Sequence, residues 1–314
     1  MKIGVLSHKF STYLHKRLEE VGRNFGFQIC FIQLSYCYMN ISARSPTVYY
    51  RSNETFQDLS AIIPRIMHTH TSYGASVLRQ FERMGVYTLN SALSIIWTRD
   101  KLRALQHLAR KNLPMPITGF ADSPQETEKL IELVGGAPLV VRLLEGSQGK
   151  GTIFAETQQA AVSVVNAFKQ LKTGILVQEY IKEAEGSDIR CIVVGNKVIF
   201  SILRTADDTG FLSSSAPNIK CDFKHDAHEK KLSANLERCF TPVKITAEEK
   251  KIAIAAAKAM KLNFASVDIL RSHRGPLVLD IDCFPNIEIL EQFTGKDIVT
   301  PLLQFIEMNL KKSD

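Results

Sequence analysis

Two apolar segments near the C-terminus constrain this chain most. They read Ser266-Val267-Asp268-Ile269-Leu270 and Leu277-Val278-Leu279-Asp280-Ile281-Asp282, and Arg274-Gly275-Pro276 lies between them. Short runs of Val, Ile and Leu bounded by a Gly-Pro pair predict two strands joined by a tight turn. Side chains alternate along a strand, so Asp280 and Asp282 share one face while Leu279 and Ile281 take the other. A hairpin in register adds Asp268 to that face. An acidic face turned to water is the plain alternative, but carboxylates embedded among branched apolar residues are better explained by a cation held between them. Hard oxygen donors with no neighbouring His or Cys favour Mg²⁺ or Mn²⁺ over zinc.

The rest of the chain predicts an α/β fold. In the first 90 or so residues, strands near 2–7, 28–32, 61–66 and 86–89 alternate with helices at 11–25 and 73–83, the pattern of a parallel α/β layer. Pro64 is expected to end the third of these strands. One amphipathic helix is expected from residue 98 to residue 112, stopped by Asn112-Leu113-Pro114. Ser123, Pro124 and Glu126 suggest a capping box opening another helix, and Thr246 and Glu249 suggest a second. Strands are expected at 137–144, 152–155 and 174–181, a helix at 157–171, and a hairpin over 189–204 turning at Gly195-Asn196. A last helix is expected at 299–310. Between residues 205 and 244 periodicity fails, and an irregular segment that long is usually functional or mobile.

The 314 residues are 45% hydrophobic and 23% charged, a balance that excludes a disordered chain or a disulfide scaffold. The six cysteines contain no C-x-x-C pair, which argues against a zinc ribbon. Only Ile3-Gly4-Val5-Leu6 follows Met1-Lys2 before polar residues, too short for a secretory signal, and no run of 18 to 20 apolar residues occurs. These features predict a cytoplasmic protein with reduced thiols and no membrane span. The formal charge of +7 favours anionic partners, although a mildly basic solvated surface explains it as well. With no block of consecutive basic residues, direct nucleic-acid binding is not expected.

Other chemistry-bearing residues lie upstream. Glu145-Gly146-Ser147-Gln148-Gly149-Lys150-Gly151 sits between two predicted strands, where glycines would let backbone N–H groups approach a phosphate. The spacing is not that of a Walker loop, and a simple hairpin turn is the competing reading. Arg142 lies within Val140-Val141-Arg142-Leu143-Leu144, where a charge needs a partner. Lys101 lies at a helix start, where on its own a solvated surface lysine is the plain reading. Asp188 and Arg190 begin a strand, as an acceptor for a ribose hydroxyl and a holder of an anionic substrate, or simply as a surface ion pair.

Taken together, these residues resemble a family. Arg99-Asp100-Lys101-Leu102, Gly135-Gly136-Ala137-Pro138-Leu139-Val140-Val141, Glu145-Gly146-Ser147-Gln148-Gly149, Gln178-Glu179-Tyr180-Ile181, Asp188-Ile189-Arg190-Cys191 and Val267-Asp268-Ile269-Leu270 resemble the RimK-type α-L-glutamate ligases of the ATP-grasp superfamily. Ser35-Tyr36-Cys37-Tyr38 and Ile63-Pro64-Arg65-Ile66 extend the likeness toward the N-terminus. The resemblance implies an N-terminal α/β pre-ATP-grasp domain (1–93), a lid subdomain carrying the glycine loop (94–181) and a C-terminal subdomain carrying the metal site (182–314). It implies an ATP- and Mg²⁺-dependent carboxylate–amine ligase that works through an acyl phosphate. Such an enzyme would attach an amino acid, glutamate by the family's habit, to an acceptor amine at a protein or peptide C-terminal residue. Ribosomal acceptors and a tetrameric homo-oligomer are family properties.

Carried over residue by residue, Lys101, Arg142, Gly146, Ser147, Gln148 and Gly149 would reach the ATP phosphates. Gln178, Glu179, Tyr180 and Ile181 would hold adenine, and Asp188 the ribose. Ser233, Ala234 and Asn235 would also border the nucleotide, while Arg190, Asn235 and Arg238 would serve the reacting groups. Asp268, Asp280 and Asp282 would hold Mg²⁺ or Mn²⁺. The chain departs from the family pattern in three places. Arg142 stands where relatives have lysine. Asp280-Ile281-Asp282 replaces a Glu-x-Asn pair. Ala234-Asn235-Leu236-Glu237-Arg238-Cys239-Phe240 replaces a glycine-bearing substrate loop. Those changes motivate an alternative, a diverged ATP-binding paralogue with altered or lost ligation that acts as a regulatory or interaction protein.

Overall fold

The computed structural model describes residues 1–52, 54–122, 124–144, 152–171, 174–205 and 240–311. A parallel sheet opens the chain, in the order β2-β1-β6-β7. Its strands are β1 (Lys2–Ser7), β2 (Gln28–Gln33), β6 (Leu59–Arg65) and β7 (Tyr87–Thr88). Helix α1 (Thr12–Asn24) follows β1, capped by Ser11, whose hydroxyl accepts from the Leu14 amide. Leu14, Leu18, Val21 and Gly22 form its buried stripe at helical spacing. Pro64 does not end its strand but lies inside β6, opposite Leu6. Strand β7 pairs only with Ala61 and Ile62, so at Pro64 that flank of β6 is an edge, where a residue with no N–H is tolerated.

A second, small sheet of β3 (Cys37–Asn40), β4 (Thr47–Tyr50) and β5 (Glu54–Thr55) was not anticipated. It packs on α2 (Thr71–Arg83), where Tyr73 Oη donates to the Cys37 carbonyl at 2.5 Å and Gln80 Nε2 to the Asn40 carbonyl at 2.7 Å. The single helix predicted around residue 100 is two helices, α3 (Ala92–Arg99) and α4 (Lys101–Arg110). Asp100 takes an extended conformation, ending α3 and capping α4 by accepting from the Arg103 amide at 3.0 Å. Its break sets Lys101 on the first turn of a redirected helix.

The third sheet is antiparallel, in the order β10-β9-β11-β8, from β8 (Thr118–Asp122), β9 (Leu139–Leu143), β10 (Thr152–Ala155) and β11 (Gly174–Glu179). Helices α5 (Thr127–Glu132) and α6 (Gln158–Lys169) close its core, where Leu130 and Val165 meet Val141 and Val177. Helix α5 starts three residues later than Pro124: Glu126 is its cap and makes no side-chain cap hydrogen bond. Ser123, the other half of the predicted box, lies outside the described residues.

A fourth, antiparallel sheet runs β14-β13-β12-β15-β16, from β12 (Ser187–Val194), β13 (Lys197–Thr205), β14 (Phe240–Pro242), β15 (Phe264–Ser272) and β16 (Gly275–Asp282). Ala-rich α7 (Ala247–Ala259) covers one face, and here the capping box predicted at Thr246 and Glu249 is present. Helices α8 (Ile287–Thr294) and α9 (Val299–Leu310) return the chain to the parallel sheet. Ile3, Val5 and Leu18 share one core with Ile192, Phe264 and Leu302. Among the described residues no helix is long and apolar enough to cross a membrane.

Asn90, wholly buried, fastens the first sheet to the fourth. Its Nδ2 donates to the Phe264 and Cys283 carbonyls at 2.7 and 2.6 Å, and its Oδ1 accepts from the Asn263 and Phe264 amides at 2.8 and 3.1 Å. Deleting that amide strands several buried backbone groups. Asn90→Ala is therefore expected to lower unfolding stability by about 2–4 kcal/mol in a urea titration; a change near zero would contradict this role.

Candidate active site

The hairpin register of β15 and β16 sets Asp268 directly opposite Asp280 and Ser266 opposite Asp282. A bulge beside Leu279 does not disturb this, so the three aspartates share one face, as predicted. They are not alone there. Arg190 on β12 lies opposite Asp268, and Arg204 on β13 opposite Asp188. Arg190 donates to Asp268 through Nε and Nη2, both at 2.8 Å. Arg204 holds Asp188 through Nε at 2.7 Å and Nη2 at 2.6 Å, and the same Nη2 reaches Asp268 at 2.6 Å. Arg204, Asp188 and Asp268 are each 1–2% exposed. Burial pushes the Asp268 carboxyl up, but the two guanidiniums outweigh it and hold the group below its ordinary range. Burial wins at Asp188, which is raised.

These contacts change what two aspartates can do. Asp188, predicted to meet a ribose, has both oxygens engaged by a buried guanidinium. Asp268, predicted to ligate metal, is closed by Arg190 and Arg204. Asp280 and Asp282 are more open, with 24% and 37% of their side chains exposed. Lys101 Nζ lies 2.5 Å from Asp280 Oδ1, and Arg99 Nη1 lies 3.6 Å from Asp282 Oδ1. Burial and nearby Arg142 push the Lys101 ammonium below its usual value against the pull of Asp280. Burial likewise lowers Arg142. Among the described residues no group of three or more His, Cys, Asp or Glu is arranged to hold a metal ion.

A cleft of about 440 Å³, partly open to solvent, separates the third sheet from the fourth. Val140, Arg142 and Gln178 line one side, Asp188, Leu270 and Leu279 the other. Tyr180 and Ile181 border it just past the end of β11, beyond that strand's ladder with β8 and β9. Gln178 is buried and donates to Thr118 Oγ1 at 3.0 Å. Glu179 accepts from the Ile117 amide at 2.7 Å and from Arg274, which reaches across from the β15–β16 turn. Tyr180 packs on Phe154 with ring centroids 4.7 Å apart. Gly146, Ser147, Gln148, Gly149, Ser233, Ala234, Asn235 and Arg238 lie outside the described residues.

The donor set suits a nucleotide: apolar walls, peptide groups beyond a strand end, and the desolvated cation Arg142 in the wall with Lys101 close enough to it to be felt electrostatically. For a divalent ion, the hard oxygens of Asp280 and Asp282 are the fitting donors, next to a lysine that now neutralises one of them.

Comparison with known proteins gives this geometry a family. Residues 98–306 match the RimK-like ATP-grasp domain and residues 1–95 the RimK PreATP-grasp domain. The chain belongs to the RimK-like ATP-grasp family. It is an ATP-grasp ligase, an enzyme class that forms amide bonds. A probable alpha-L-glutamate ligase 1 of Shewanella baltica (strain OS155) is 49% identical over 98% of this chain and 95% of its own. A probable alpha-L-glutamate ligase of Legionella pneumophila (strain Corby) is 44% identical over 99% and 97%. Among solved structures, the ATP-grasp ligase PsnB complexed with precursor peptide PsnA2 and AMPPNP has a TM-score of 0.71 at 16% identity, covering 98% of both chains. The macrocyclase MdnC of Microcystis aeruginosa, bound with precursor peptide MdnA, gives 0.68 at 11% identity, covering 98% of this chain and 99% of that one. At such identities the likeness is one of fold.

Arg204 was not singled out from the sequence of this RimK-like chain. The signal was present: it sits in Ile199-Phe200-Ser201-Ile202-Leu203-Arg204, a charge in an apolar strand, as Arg142 does. Removing one partner of a buried ion network leaves uncompensated charge. Arg204→Met is expected to destabilise the protein by about 3–5 kcal/mol in denaturant unfolding. A loss below about 1 kcal/mol would show that Asp188 and Asp268 find other compensation.

Proposed function

We propose that this enzyme uses ATP and Mg²⁺ to join L-glutamate to an acceptor, a peptide or protein end, through an amide bond. The supporting observation is the cluster of Lys101, Asp280 and Arg142, of which Arg142 lines a cleft that suits a nucleotide. The names of relatives 44–49% identical over almost their whole length support glutamate as the amino acid. Domain boundaries near residues 93 and 181 belong to the same reading.

Bound there, ATP and Mg²⁺ supply an activated phosphoryl group that turns a carboxylate into an acyl phosphate. The protein's own residues position and compensate. Tyr180 and Ile181 present peptide groups to the base, and Leu270 and Leu279 exclude water from it. Lys101 and Arg142, fixed on a helix start and a central strand, offset charge that develops on transferring oxygens without having to reorganise. Asp280 and Asp282 would take the divalent ion, with Lys101 released from Asp280 as it arrives. Arg190, held by Asp268, keeps one fixed orientation at the sheet face. The cation at position 142 is here an arginine, planar and forked, suited to two phosphate oxygens at once.

Incubation with ATP, Mg²⁺, L-glutamate and a peptide of acidic C-terminus should release ADP and add glutamyl mass to the peptide. ADP release with no glutamyl product under any divalent ion would overturn glutamate ligation. Lys101→Met should lower kcat by roughly 100- to 1000-fold, the range for removal of a preorganised cationic or hydrogen-bonding group at developing charge.

A further inference from the structure

The parallel sheet leaves a crevice at the C-terminal ends of β1 and β6. From β1 the chain turns to one side to build β2 and later returns on the other side as β6. The connections leaving the C-terminal ends of β1 and β6 therefore diverge, which in parallel sheets marks a binding crevice. Five basic or imidazole side chains gather at this point. His8 and Lys9 directly follow β1, Arg65 ends β6, and His68 and His70 lead into α2. The His8 and His70 rings stack 3.7 Å apart. Arg65 Nη1 donates to the Lys9 carbonyl at 3.3 Å, and Ser7 Oγ to the same carbonyl at 2.7 Å.

The fold itself does not need these charges. Arg65 is half-buried, and among the described residues neither it nor Lys9 forms an ion pair with a carboxylate. Burial disfavours the Arg65 guanidinium, and the Glu288 carboxylate, itself held by Ser11 Oγ, offsets that only in part, so a further anion would be favourable there. Helix α2 opens at the same place with no acidic residue in its first turn and no side-chain cap, so its positive end adds to the field. The acidic groups nearby already have partners: Glu288 accepts from Ser11 Oγ at 3.0 Å, and Asp282 pairs with Arg99. Arg99 also donates to the Ile66 carbonyl at 3.2 Å, tying the crevice wall to the active site.

We propose that His8, Lys9, Arg65, His68 and His70 form a carboxylate-binding subsite that holds the glutamyl side of the ligation next to Asp282. This rests on the ligase reading. The ligand is either free L-glutamate or the glutamyl end of a peptide, which share the same carboxylates.

The test is calorimetric binding of L-glutamate, and separately of L-glutamyl-L-glutamate, to the full chain in the presence of AMPPNP and Mg²⁺. Arg65→Met should weaken the ligand that occupies the crevice by roughly 10- to 100-fold, the range for a lost charge-assisted hydrogen bond, and leave AMPPNP affinity within about twofold. Arg65→Lys should restore part of that loss. The ligand that weakens identifies the source, and unchanged affinity for both overturns the proposal, as does a wild-type chain that binds neither. Should Arg65→Met also lose AMPPNP binding through misfolding, Lys9→Glu at an exposed position decides: weaker carboxylate binding supports the subsite, unchanged binding overturns it. Binding is read without turnover. An inactive chain that still shows the Arg65 effect keeps the subsite while the ligase reading falls, and an active one with unaltered KM for the carboxylate substrate does the reverse.

Discussion

Arg204 sits between two carboxylates that could not share the interior without it. Asp188 and Asp268 come from adjacent strands, both nearly inaccessible to water, and one guanidinium bridges them while Arg190 completes the second. The opposite face of the same strands is ordinary core: Cys191, Val267 and Ile281 lie against Ala253, Ala256 and Ala257 of α7. One sheet therefore carries two chemistries, apolar against the helix and ionic against the cleft. The ionic face keeps its charges only because donors and acceptors are matched strand by strand through the pairing register.

A second layer builds on that face. Asp100 breaks what would be one helix and turns Lys101 toward Asp280, while central strand β9 fixes Arg142 nearby. Cations and carboxylates are thus brought together before any ligand arrives, and the cleft enters its reaction with its charges largely compensated. An arriving nucleotide and metal would exchange partners within the cluster: phosphate for Asp280 at Lys101, metal for Lys101 at Asp280. Exchange of this kind costs less reorganisation than creating a charged site in water.

Much of this was legible in the residues. The acidic hairpin, its register, the hairpin turning at Gly195-Asn196 and the capping box at Thr246 and Glu249 follow from alternation and local hydrogen bonding, which short sequence windows carry. What sequence could not carry was pairing across distance. Asp188 and Asp268 read as ligands because their arginine partner lies on another strand, and nothing local to Asp268 announces Arg204. The break at Asp100 is hidden in the sequence because helical spacing continues on both sides of it, so only the cap distinguishes one helix from two. Pro64 looks like a stop in the sequence because its tolerance inside β6 depends on how short β7 is. The glycine loop and the segment that follows β13 carry family motifs whose geometry lies outside the described residues.

The most direct measurement is the structure of the protein with AMPPNP and Mg²⁺ bound. The account requires Lys101 to leave Asp280 for a phosphate oxygen and Asp280 to turn to the metal, while Arg204 stays between Asp188 and Asp268. A bound nucleotide with the Lys101–Asp280 pair intact, or with the arginine bridge dismantled, would contradict it.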